Sequence, residues 1–178
     1  MARGKARILK SSMIHRGRVF GVRRDEVLEP GGVRVTREVI THPGSVVVLP
    51  VLEDGRILMI RQYRHATRQY LWELVAGRID EGETVKEAAA RELREETGYA
   101  AKRFTEFLDF FPTPGFLEER MHLLLAKGLT KGEAQPEADE KIISRPYKLS
   151  ELRRMLKSGK LKDGKSIAGI LYYLTFLT

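Results

Sequence analysis

Cysteine is absent from all 178 residues, which excludes disulfides, thiol nucleophiles and thiolate metal sites together. That composition fits an intracellular protein, and a cytoplasmic location is expected. No apolar run approaches the roughly 18 residues that a membrane span needs, and no secretory leader is visible, so no membrane partner is expected. Internal repeats, low-complexity tracts and linkers are also missing. The expectation is therefore one domain over residues 1–178, large enough to bury a real core. One further absence is local: residues 1–24 contain no acid but eight basic residues, Arg3, Lys5, Arg7, Lys10, Arg16, Arg18, Arg23 and Arg24. The whole net charge of +8 lies there, and the rest of the chain is balanced. Residues 1–40 thus read as a basic, β-rich arm. Such an arm either grips nucleic acid or another acidic surface, or serves as solubilising edge strands or a leader.

What is present is an ordered series of strand and turn signals. Residues 6–24 carry β-branched and aromatic residues around Gly17, and Pro30-Gly31-Gly32 forms a turn. Residues 33–40 alternate valine with Arg34, Thr36 and Glu38, the period of a half-buried strand. Residues 45–52, SVVVLPVL, form a continuous apolar run of the kind buried on both faces. Glu53-Asp54-Gly55-Arg56 turns that run into a strand over 57–64. A single strand is predicted over 71–76, LWELVA. Downstream, 101–111, 120–127 and 141–147 read as strands, and the polar stretch 131–140 as a loop. Helices are predicted over 149–158, ended by Gly159, and from about 166 to the end. This order points to an α+β fold, a mixed sheet flanked by helices.

Everything else is arranged around residues 77–99, GRIDEGETVKEAAARELREETGY. Thr84 with Glu87 three residues later is a capping box, and Gly98 is a left-handed stop. Val85, Ala89 and Leu93 fall on one stripe for the core, while Ala88, Glu92 and Glu96 form the next, with Glu95 beside them. Crowded carboxylates repel. Either the face is solvated, with Arg91 and Arg94 pairing at i,i+4, or a cation neutralises it. Oxygen-only ligands suit a hard ion, Mg²⁺ or Mn²⁺.

The spacing of Gly77, Glu83, Arg91, Glu92, Leu93, Glu95, Glu96 and Gly98 resembles the signature of the Nudix hydrolases. With usage of roughly 7% per residue type, its seven single-residue positions match by chance about once in 10⁸ starts. Tyr99 stands where that signature usually has an aliphatic residue. The resemblance implies an α/β/α sandwich with a loop–helix–loop motif, and metal-assisted hydrolysis of a nucleoside diphosphate derivative. It assigns metal ligation to Glu92, Glu96 and the carbonyl of Ala76, with Glu95 as a further ligand or acid. Arg91 would orient the glutamates, and Glu83 would hold the loop or bind metal through water.

Pro114, 16 residues after Gly98, resembles the proline that marks the ADP-ribose pyrophosphatase branch. Residues 37–51, 60–64, 71–83 and 161–166 resemble that branch too. The resemblance implies a general base on the loop over 133–140, with Glu137, Asp139 and Glu140 as candidates and Glu140 or Glu137 preferred. It also implies a homodimer whose N-terminal strands complete the pocket. An anionic diphosphate calls for arginine; Arg64 and Arg37 are expected to meet it, Glu38 to accept from the adenine or ribose, and Phe20 to stack on the base. The competing readings are another Nudix substrate, such as a dinucleotide polyphosphate or an RNA cap, or a non-catalytic ADP-ribose-binding module. RNA binding would need aromatics interleaved with the basic residues, and Phe20 alone is thin, so the expected partner is a small nucleotide.

Overall fold

The computed structural model describes residues 4–132 and 142–178, which divide into two compact units. The first comprises Met1–Gly44 and Phe111–Arg120. It holds an antiparallel sheet of β1 (Arg7–Arg16), β2 (Gly21–Leu28) and β3 (Arg34–Thr41), in that order. In β3 Val35 and Val39 are half-buried while Arg34, Thr36 and Glu38 face solvent, as the alternation predicts; Arg37, which shares the parity of the valines, is exposed as well, and Ile40 is half-buried. All ten residues of β1 are exposed. Residues 111–120 join this unit through backbone bonds: Ile40 N–H donates to the Phe116 carbonyl at 2.7 Å, and Glu118 N–H donates to Ile40 at 3.1 Å. Arg23 adds a bridge, 3.0 Å from the buried Asp25 and 3.1 Å from Glu118.

The second unit comprises Ser45–Phe110 and Met121–Thr178. Its strands are β4 (Ser45–Pro50), β5 (Ile57–Arg64), β6 (Gln69–Glu73), β7 (Val75–Arg78), β8 (Tyr99–Phe110), β9 (Met121–Lys131) and β10 (Ile143–Tyr147). Its helices are α1 (Val85–Thr97), α2 (Leu149–Lys157) and α3 (Gly164–Phe176). One sheet runs β7-β4-β9-β8 and the other β10-β5-β6, with β4 and β9 parallel and every other pair antiparallel.

All six residues of β4 are buried, because both faces of its sheet are covered. Val46 and Val48 pack with Ala88, Ala89 and Leu93 of α1. Val47 and Leu49 point the other way, into a cluster with Leu74, Leu123, Leu152, Ile170 and Tyr173. This is an α/β/α arrangement, and the α+β expectation holds. Gly169 lets α3 approach closely: a Cβ there would lie 2.9 Å from Leu123 and 3.1 Å from Leu74.

The run 71–76 differs from expectation. It is two strands that part at Leu74, with β6 pairing β5 through Glu73 and Ile60, and β7 pairing β4 through Val75 and Val48. Changing partners leaves the Leu74 N–H without a ladder acceptor. The Ser166 hydroxyl, in the first turn of α3, accepts it at 2.7 Å.

Candidate active site

The loop and helix α1 form as their local chemistry dictates. Thr84 accepts from Glu87 N–H while the Glu87 carboxylate accepts from Thr84 N–H at 2.8 Å, so two end donors are satisfied reciprocally. Gly98 closes the helix at φ 75°, where a Cβ would be strained. Ala88, Ala89 and Leu93 are buried and Val85 is partly so. That packing fixes the rotation of the helix, and the Glu92 and Glu96 stripe is carried onto β7 with it.

The Ala76–Gly77 backbone of β7 receives both carboxylates. Glu96, only 5% exposed, accepts from Ala76 N–H at 3.2 Å. Glu92 lies so close over Gly77 that a Cβ built there would stand 1.9 Å from its Oε1. Only a residue without a side chain leaves room for this carboxylate.

Arg91 ties the cluster together with all five of its N–H donors. Nε and Nη2 each donate to Glu83 at 2.9 Å, Nη1 donates to Glu92 at 2.6 Å and Glu95 at 3.1 Å, and Nη2 also donates to the Arg78 carbonyl at 2.9 Å. The hydrogen bond to Glu83 and the neighbouring carboxylates hold the guanidinium firmly in its charged form. The same bond from Arg91, opposed by partial burial, holds the Glu83 carboxyl below its ordinary range. Glu83 also accepts from Asp80 N–H at 3.1 Å, so one residue closes the loop and receives the arginine. Replacing Arg91 with lysine, a point charge with three donors, leaves at least two acceptors unserved. Arg91→Lys is expected to cost about 1–2 kcal/mol. The measurements are thermal melting and faster amide exchange at Asp80.

Arg64 belongs to the same unit. Its Nε and Nη2 meet the fully buried Glu73 at 2.8 and 2.7 Å. The Glu73 hydrogen bond raises its pKa against the opposing effect of burial, and the charges of Glu96 and Asp163 contribute further, so Arg64 lies within electrostatic reach of the glutamate cluster. Glu73 itself is missed by sequence reasoning, as are its other partner Lys165 and the Asp163 carboxylate that Lys165 also meets. One signal was available: a single carboxylate in the apolar run LWELVA is either at the surface or buried and paired.

The other expected substrate residues lie in the first unit. Arg37 pairs with Glu29, and Glu38 with Arg24 at 2.7 Å. Phe20, 45% exposed, stands 6.3 Å from His15 and lines a hollow of about 570 Å³ with Met13, Arg16, Thr41 and His42. Pro114 lines a smaller hollow of about 290 Å³ with Arg23, Phe111 and Phe116. Glu137, Asp139 and Glu140 lie outside the described residues.

The donors fit a hard divalent cation. Glu92 and Glu96 converge on the carbonyl-bearing Ala76–Gly77 segment, all of these donors are oxygen, and the cradle over Gly77 holds a carboxylate where a side chain would fill it. Among the described residues no three carboxylate or imidazole groups are already gathered at ligand spacing, and Arg91 carries the neutralising charge.

Sandwich, glycine loop and arginine-braced glutamates together define a class of hydrolase acting on phosphoanhydrides. The chain belongs to the Nudix family, whose NUDIX domain matches residues 41–168. It is 38% identical over 175 residues to an ADP-ribose pyrophosphatase of Mycobacterium tuberculosis, covering 96% of this chain and 84% of that one. It is 34% identical over 166 residues to an ADP-ribose pyrophosphatase of Bacillus subtilis and, with the same identity and length, to a methanol dehydrogenase activator of Bacillus methanolicus. Each of these two matches covers 92% of this chain and 90% of the relative. A crystal structure of an ADP compounds hydrolase superposes with a TM-score of 0.85 at 25% identity, covering 98% of this chain and 95% of that one. Nudix hydrolases generally need a divalent metal, and no helix among the described residues is long and apolar enough to cross a membrane.

Proposed function

We propose that the protein is an ADP-ribose pyrophosphatase, hydrolysing the pyrophosphate bond of ADP-ribose to AMP and ribose 5-phosphate. The observation that carries this reading is the convergence of Glu92 and Glu96 on the Ala76–Gly77 backbone, in a chain similar to two ADP-ribose pyrophosphatases over most of its length. The intact glutamates favour hydrolysis over mere binding.

Glu92, Glu96 and the Ala76 carbonyl would hold Mg²⁺, with Mn²⁺ as a substitute, and Glu95 would serve as a further ligand or acid. A cation so held neutralises phosphate charge and makes a water more acidic. The chain's residues do the remainder. Arg91 keeps the glutamates aimed by spending every donor on them and on the loop. Arg64 offers its remaining N–H groups to the diphosphate. Glu140 or Glu137 accepts the proton of the attacking water. As the water oxygen bonds to one phosphorus, that phosphorus releases the bridging oxygen with the other phosphate. Arg37, Glu38, Phe20 and Pro114 would meet the nucleoside side of the substrate.

The homodimer and the cytoplasmic location belong to the same proposal. Strand β1 is an exposed sheet edge carrying Ile8, Leu9, Met13 and Ile14 in solvent, a surface that a second copy of the chain would cover. The substrate assignment is tested by ranking kcat/KM for ADP-ribose, GDP-mannose and a diadenosine polyphosphate. ADP-ribose is expected to lead by about tenfold or more. A dinucleotide polyphosphate in first place would overturn it.

A further inference from the structure

Two consecutive residues of α3 grip two consecutive residues at the corner between β6 and β7. Lys165 Nζ donates to the Glu73 carboxylate, and Ser166 Oγ accepts from Leu74 N–H at 2.7 Å. Both are secured from below by Asp163, the helix cap. Its Oδ1 accepts from Lys165 at 2.9 Å, and its Oδ2 accepts from the Ser166 N–H at 3.0 Å and from the Ser166 hydroxyl. On the other side Glu73 receives Arg64 through two parallel bonds. The chain of contacts therefore runs from the first turn of the C-terminal helix to Arg64.

We propose that Lys165 is a positioning residue for substrate binding: with Asp163 it braces Glu73, and Glu73 in turn holds Arg64 presented to the anionic diphosphate. The inference rests on the ADP-ribose reading above and adds a determinant of affinity to it.

Three observations support it. Glu73 is fully buried, and burial pushes its carboxyl up, yet the bond from Arg64 and the charge of Lys165 more than offset this and keep it ionised. A buried carboxylate with two cationic partners keeps a fixed place, because the loss of either leaves its charge poorly compensated. Next, only two of Arg64's five N–H groups are used on Glu73, and its side chain is 40% exposed, so donors remain on its outer side for a ligand. Last, Arg64, Lys165, Glu73 and Asp163 together are neutral. Removing Lys165 leaves Arg64 as the one cation of the group against the two carboxylates, so Glu73 loses its second anchor and the guanidinium it holds loses its fixed place.

The test is steady-state hydrolysis of ADP-ribose by the full chain with Mg²⁺. Lys165→Met is expected to raise KM about tenfold while kcat falls no more than about threefold, with the Mg²⁺ activation constant unchanged. Lys165→Arg, which keeps the charge, is expected to recover most of the lost affinity. Lys165→Gln keeps a donor to both carboxylates and serves where the methionine variant fails to fold. The decisive arm is a double-mutant cycle. Lys165→Met placed on Arg64→Ala is expected to change KM by less than about twofold, because Lys165 acts through Arg64. An unchanged KM in Lys165→Met, or an effect that multiplies in full with that of Arg64→Ala, overturns the inference and leaves the ADP-ribose reading standing. No ADP-ribose turnover by the unaltered protein overturns both.

Discussion

Gly77→Ala is expected to lower kcat/KM by about a hundredfold while changing stability by less than about 1 kcal/mol. The two effects separate because of what the new methyl group would strike. Its nearest neighbours are Glu92 Oε1 at 1.9 Å and Cδ at 2.0 Å, the far end of a flexible side chain. Glu92 can swing aside at little cost to packing. Swinging aside removes one of the two carboxylates from the Ala76–Gly77 backbone and breaks its bond from Arg91. Thermal melting and steady-state kinetics on one preparation read both quantities. A variant with full activity would show that Glu92 does not need its place over Gly77.

Glu96→Gln is the complementary experiment, with the larger expected loss: about a thousandfold in kcat, from several kcal/mol of lost charge stabilisation. Glutamine keeps the volume of the side chain and an oxygen that can still accept from Ala76 N–H. What it removes is the negative charge. Because Glu96 is 5% exposed, exchanging a buried charge for a neutral amide is expected to leave the melting temperature equal or higher. The check is metal-dependent turnover beside a melting curve. Wild-type turnover, or loss of activity accompanied by unfolding, would sink the assignment of Glu96 to the cation.

Much of this site is legible in the sequence because its determinants are local. The capping box at Thr84 and Glu87, the left-handed Gly98 and the spacing from Gly77 to Glu96 lie within one loop and one helix, where side-chain chemistry dictates backbone geometry. The two-faced burial of β4 follows from a continuous apolar run. What escapes the sequence is non-local. LWELVA looks like one strand, since its apolar run carries no sign of the change of partner at Leu74. Glu73 sits there with no nearby cation in sequence; its partners are Arg64 in the neighbouring strand and Lys165, 92 residues on. Residues 111–120 join the first unit through backbone bonds of Ile40, which composition cannot record. The glutamates could be read from the sequence, whereas the frame that holds Arg64 required the fold.

The most direct measurement is the release of AMP from ADP-ribose by the purified protein, followed with Mg²⁺ and again with a chelator. The account predicts AMP and ribose 5-phosphate in equal amounts with Mg²⁺, and no release once the metal is removed. Equal rates with and without chelator would contradict the role given to Glu92 and Glu96. Tight ADP-ribose binding without AMP under any metal would make the protein a binder rather than a hydrolase.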